Sequence, residues 1–195
     1  MMGVTHALMG GLLGASSAVF TLEYFLAAVI AGYLGGLFPD LDLAFNHRQT
    51  LHFPVGYTVL SVAAVATAVF TAEKGLIILS YFILSAAVHS WIDILGGGLE
   101  EKPWEGTTDK GVYSHSLDRW FPPLQVIRYD GAPEDFLLTL GLGTALFPLL
   151  AGYPVAQKIV VASIAVGGLY SLVRKKLLDV RDFLLKAFNS LIDES

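Results

Sequence analysis

Residues 76–95 read LIILSYFILSAAVHSWIDIL. Twenty residues that carry no formal charge until Asp93 match the ~20 apolar residues a helix needs to cross a bilayer. Soluble domains carry roughly 25% charged residues. This chain of 195 residues carries 15%, is 54% hydrophobic, and has a mean hydropathy of +0.62. Similar apolar runs cover 7–20, 22–38, 53–71, 136–152 and 155–173. The pattern predicts an all-α polytopic membrane protein of about six transmembrane helices. An integral membrane domain over 1–176 is interrupted by a polar loop over 96–135. Arg174-Lys175-Lys176 closes the sixth run, and the tail 177–195 has the helical apolar spacing of an amphipathic helix through Leu178, Phe183, Leu184, Ala187, Phe188 and Leu191. The first two runs are glycine-rich and equally suit a helical hairpin that does not fully cross. The N-terminus lacks a basic n-region and a small-residue cleavage site, so it reads as a first helix and not a signal peptide.

Six spans place both termini and the second and fourth loops on one side. That side holds ten of the twelve Lys and Arg residues, and only Lys74 and Lys158 fall on the other. The positive-inside rule makes the crowded side cytoplasmic, which predicts an inner (plasma) membrane protein. A net charge of −5 gives no reason to expect a nucleic-acid partner.

The same side collects the groups able to bind metal. His89 and Asp93 lie four apart at the end of the fourth run, on one helical face. An ionisable pair in an apolar span is costly and reads as functional, although a packing hydrogen bond would use the same spacing. Asp40 and Asp42 follow Pro39, which stops the second run; alone they would read as solvated loop acids. His47 and His52 flank the third run's entry, and His47 suits a ligand or an interfacial histidine equally. Arg48 between them suits a phosphate, or an ion pair with Asp40 or Asp42. His6 opens the first run. His115 lies in the polar loop and is a candidate proton donor. The chain has no cysteine, so any metal rests on His and carboxylates. That donor set suits Zn, Mn, Fe or Mg, one ion or two, and such an ion activates water and stabilises charge on a scissile oxygen.

Leu37-Phe38-Pro39-Asp40-Leu41-Asp42, His47-Arg48-Gln49-Thr50-Leu51-His52 and His89 with Asp93, after Thr5-His6, occur in this order over residues 3–104. In order and spacing the chain resembles the YdjM-like (DUF457) family of membrane-bound metal-dependent hydrolases. It departs from that pattern at Gln49, Leu51 and Phe53, and 95–135 resembles an archaeal branch of it. The resemblance implies a metal site built from His6, Asp40, Asp42, His47, His52, His89 and Asp93. The combined expectation is a hydrolase with Arg48 as a phosphate clamp and His115 as acid. Its substrate would be a phosphoester of a lipid or lipid-linked molecule drawn from the bilayer. A non-enzymatic transporter or metal-binding regulator is the alternative. Against transport, the candidate ligands gather at one face, whereas transporter sites lie nearer the midplane.

Overall fold

A computed structural model describes residues 1–20 and 22–193. Six α-helices run through it: α1 (Gly3–Ala15), α2 (Phe25–Leu37), α3 (Pro54–Thr71), α4 (Lys74–Ile92), α5 (Pro133–Leu149) and α6 (Pro154–Asp193). Four segments are long and apolar enough to cross a membrane: Phe25–Ala44, Pro54–Thr71, Lys74–Leu95 and Pro154–Arg181. The protein is therefore mostly helical and membrane-associated in character. α1 is not among the four. Its 13 residues span ~20 Å at 1.5 Å per residue, short of a ~30 Å hydrocarbon core. α5, with 17 residues, sits at the lower limit.

α1 is short because it is the central helix. It packs against α2, α4, α5 and α6, and His6, Ala7, Leu8, Gly10, Gly11 and Gly14 on it are buried. Without a hydrophobic drive between helices in lipid, close packing needs small residues. A Cβ at Gly10 would collide with the Gly32 backbone on α2, and one at Gly36 with the His6 carbonyl. Away from the polar end, Leu8, Phe25, Val29, Leu146, Leu150 and Val160 form the apolar core.

Proline and carboxylates set the helix ends. Pro54 and Pro133 occupy first helical positions, where a missing N–H costs nothing. Glu73 caps α4 by accepting from the Leu76 amide at 2.8 Å. Pro39 turns the end of α2 into a 3-10 segment over Phe38–Ala44.

Two expectations change. The polar loop 96–135 contains a β-ribbon, β1 (Val112–Ser114) antiparallel to β2 (Arg119–Phe121), with Tyr113 opposite Trp120. Backbone bonds fasten the loop to the end of α4: Leu124 N–H donates to Ile94 O at 2.7 Å and Ile127 N–H to Leu95 O at 2.9 Å. The sixth helix also does not stop at Arg174-Lys175-Lys176; α6 is continuous over 40 residues. Lys and Arg are good helix formers, so a charge cluster ends the apolar stretch without ending the helix. Leu177, Phe183 and Leu184 on it are exposed. The side chains of Ala187, Phe188 and Leu191 lie outside the described residues.

Candidate metal centre

The start of α1, the end of α2, the entry to α3 and the end of α4 meet at one end of the bundle. Asp40, His52, His89 and Asp93 each direct a ligand atom into this junction, all within 4.8 Å of one another. Three of the four are fully buried, and the Asp40 side chain is 15% exposed.

The tautomers make the arrangement informative. His89 Nδ1 lies 2.6 Å from Gly36 O. A carbonyl only accepts, so Nδ1 carries the proton. Gly36 O is one of the carbonyls a helix end leaves without an intrahelical partner. His52 Nδ1 lies 2.9 Å from Asp42 Oδ2 and donates likewise. When both rings are neutral the lone pair of each is on Nε2, and these two atoms face each other at 3.2 Å. Asp93 Oδ2 is 3.4 Å from His52 Nε2 and 3.7 Å from His89 Nε2, and Asp40 Oδ1 is 3.4 Å from His89 Nε2. Asp93 Oδ2 is buried without a hydrogen-bond partner among the described residues. Converging lone pairs repel unless a proton or a metal cation lies between them. Four ligands at ~2.1 Å around a tetrahedral ion would sit ~3.4 Å apart, close to these four separations. The two-imidazole, two-carboxylate set fits Zn, Mn or Fe and, less well, Mg.

A second layer holds the first. Asp42 is buried and accepts from three donors: His47 Nδ1 at 2.8 Å, His52 Nδ1 and the Leu51 amide at 3.1 Å. Burial alone would push the His52 imidazole down; its carboxylate partners Asp42 and Asp93 outweigh that and hold it above the ordinary imidazole range. His6 stacks on His89, with ring centroids 3.7 Å apart, and its Nε2 meets Asp93 Oδ1 at 2.9 Å. The Met1 amino group donates to the same oxygen at 3.0 Å. Arg48 Nε lies 3.2 Å from Asp93 Oδ2. Asp93 is thus surrounded by positive and donor groups.

The structure brings most of the sequence-predicted residues together, but not in one layer. Asp40, His52, His89 and Asp93 converge. Asp42, His47 and His6 sit behind them as orienting partners, because their nearest polar atoms are other side chains of the cluster. Arg48 is not an open fork: its Nη1 donates to Gly97 O at 2.6 Å and its Nε faces Asp93. Arg48 takes a left-handed φ of 59°, uncommon for a non-glycine residue, and its carbonyl accepts from the Tyr113 amide of β1 at 3.0 Å. His115 is exposed, stacks on Phe53 at 4.4 Å and bonds Gln49 O at 2.7 Å through Nε2. Its neighbour Asp118 is taken by the Tyr113 hydroxyl. It does not reach the cluster, since a turn separates residues that a helix would have stacked. The carbonyls of Gly36 and Gly97 were not legible in the sequence. The only signal was the glycine pairs themselves, where backbone can come close.

Beside the cluster lies a cavity of about 690 Å³, within the ~300–1,000 Å³ usual for ligand sites. Asp40, His47 and Arg48 line one wall. Comparison with family models, with characterised proteins and with solved structures gives no match.

Proposed function

We propose that the protein is a membrane-bound metal-dependent hydrolase acting on a phosphoester of a lipid or lipid-linked substrate at the cytoplasmic face. The observation that carries this is the pair of imidazole lone pairs held face to face by Gly36 O and Asp42, with two carboxylates beside them and a cavity alongside. The resemblance in motif order to the YdjM-like hydrolases supports the same reading, and the ten-to-two basic asymmetry supports the orientation. Asp40, His52, His89 and Asp93 would hold the ion, which when bound supplies Lewis acidity and an activated water.

The remaining groups have definite tasks in this reading. Asp42 fixes the His52 tautomer, and removing such a partner typically costs 10–100-fold in metal affinity. His6 and Arg48 hold Asp93 in place. Arg48 also gives the cavity wall a fixed positive charge to meet a phosphoryl oxygen; it acts through charge, since part of its fork is committed to Gly97. His47 replaces His115 as the proton-transfer group. It lines the cavity, its side chain is 28% exposed, and Asp42 anchors its Nδ1, which leaves Nε2 for exchange with a leaving group.

The test is metal analysis of detergent-purified protein, followed by turnover of phosphomonoester and phosphodiester panels. Stoichiometric metal with turnover supports the reading. Metal with no ester turnover, but with solute movement in liposomes, would replace it by transport. Orientation is checked separately in this cysteine-free chain. Single cysteines at Lys74 and Gln125 should label from opposite sides, and labelling from the same side would refute the six-span topology.

A further inference from the structure

The cavity beside the cluster is lined by two unlike sets of residues. One is polar: Asp40, His47 and Arg48, with Glu100, Asp130 and Arg174 contributed by the loop and by α6. The other is apolar: Val4, Leu37, Leu41, Leu43 and Val166. The polar set is built. Arg174 grips Asp130 through Nε at 2.9 Å and Nη2 at 3.1 Å, and the Tyr170 hydroxyl donates to the same carboxylate. Glu100 Oε1 accepts from the Thr107 amide at 2.9 Å, while its Oε2 is buried with no hydrogen-bond partner among the described residues. The apolar set opens outward. Leu41 is 62% exposed, Leu43 69% and Val166 56%, and they lie within the segments Phe25–Ala44 and Pro154–Arg181, both long and apolar enough to face lipid.

A site for a water-soluble phosphoester would not need an apolar rim on its bilayer side. A lipid-facing groove alone would not need a buried unmet acceptor and two arginines. We infer that the cavity is a lateral entry site for a phospholipid-type amphiphile, head group against Arg48, His47 and Glu100, and hydrocarbon leaving between the end of α2 and α6. The head carries a hydrogen-bond donor beside its phosphate, which meets Glu100 Oε2. The chain needs only partial enclosure, because the bilayer solvates what the cavity does not. Chemistry on the phosphate rests on the hydrolase reading, whereas the binding itself does not.

The probe is lysophosphatidylethanolamine bearing a diazirine in its acyl chain, added to metal-replete protein in phosphatidylcholine nanodiscs. After irradiation, labelled residues are mapped by mass spectrometry. Labels are expected to concentrate on Leu37, Leu41, Leu43 and Val166. Unlabelled lysophosphatidylethanolamine should suppress them, and glycerophosphoethanolamine, the same head without the chain, should do so about tenfold less well or worse. Val166→Trp and Leu43→Trp, each at an exposed position, should remove most of the labelling. Val59→Trp on the exposed face of α3 should not. Equal competition by the chainless head overturns the lipid assignment in favour of a soluble phosphoester. Labels spread over exposed α3 and α6 faces, indifferent to Val166→Trp, overturn the site altogether. Cavity labelling without ester turnover upholds this inference and sinks the hydrolase reading. Turnover of soluble esters without cavity labelling does the reverse.

Discussion

His89 and His115 look alike in the sequence, each with an aspartate a few residues on, and the molecule uses them in opposite ways. His89 sits on α4, where a spacing of four turns Asp93 onto the same face. It is fully buried, with one nitrogen on Gly36 O and the other in the candidate metal cluster. His115 sits at the turn of the β-ribbon. Asp118 there has a φ of 49° and binds Tyr113 across the ribbon, while His115 lies exposed on Phe53. The helix end concentrates polar groups that the bilayer would otherwise expel. The ribbon disperses them, because water is available to solvate each one. A polar residue is informative about function in proportion to what its position costs.

The largest effect should come from breaking the buried region. Asp93→Ala removes the partner of Arg48, His6 and the Met1 amino group at once. Leaving buried charge unpaired typically costs ~3–5 kcal/mol, so unfolding in detergent should occur at markedly lower temperature, and metal should be lost. His89→Ala removes one ligand with less electrostatic damage, so metal content measured by mass spectrometry should fall strongly while the fold persists. Full stoichiometric metal in the double variant His89→Ala, Asp93→Ala would sink the metal assignment.

A smaller effect is expected one layer out. Asp42→Asn keeps shape but weakens the hold on His52, and metal affinity by competition with a chelator should drop about 10–100-fold. Unchanged affinity would mean that His52 needs no orienting carboxylate. Arg48→Lys should preserve metal content and lower turnover modestly, since the charge at the cavity wall survives; Arg48→Ala should lower it by about tenfold or more, the loss of ~1.4 kcal/mol of transition-state stabilisation. A Lys variant as damaged as Ala would restore a bidentate grip on substrate.

The smallest effect belongs to the ribbon. His115→Ala removes an exposed ring, and surface changes of that kind usually stay within ~0.5 kcal/mol. Metal content, turnover and melting temperature should all match the parent. A tenfold fall in turnover would return His115 to the site and erase the contrast with His89.

Much of this was written in the order of residues. The apolar runs, the helix stop at Pro39 and the His89–Asp93 face follow from local rules of length, backbone geometry and periodicity, so they were legible without a structure. The β-ribbon was obscured because three-residue strands carry too little alternation to stand out from a polar loop. The continuity of α6 was obscured because charge and helicity are independent properties.

By itself the sequence determined that the chain is helical and suited to a membrane, and that His6, His52, His89, Asp40 and Asp42 stand at the ends of its apolar runs. Those are consequences of hydropathy and spacing, which each segment expresses alone. Only the tertiary structure decided which of those groups face the same point and which stand behind them. That choice depends on Gly36 bringing α1 against α2, on carbonyls and Asp42 selecting ring tautomers, and on the Tyr113 amide holding Arg48 in its left-handed turn. Contacts between residues distant in the chain carry no local signature, so the difference between a ligand and its orienting partner appears only when the helices pack.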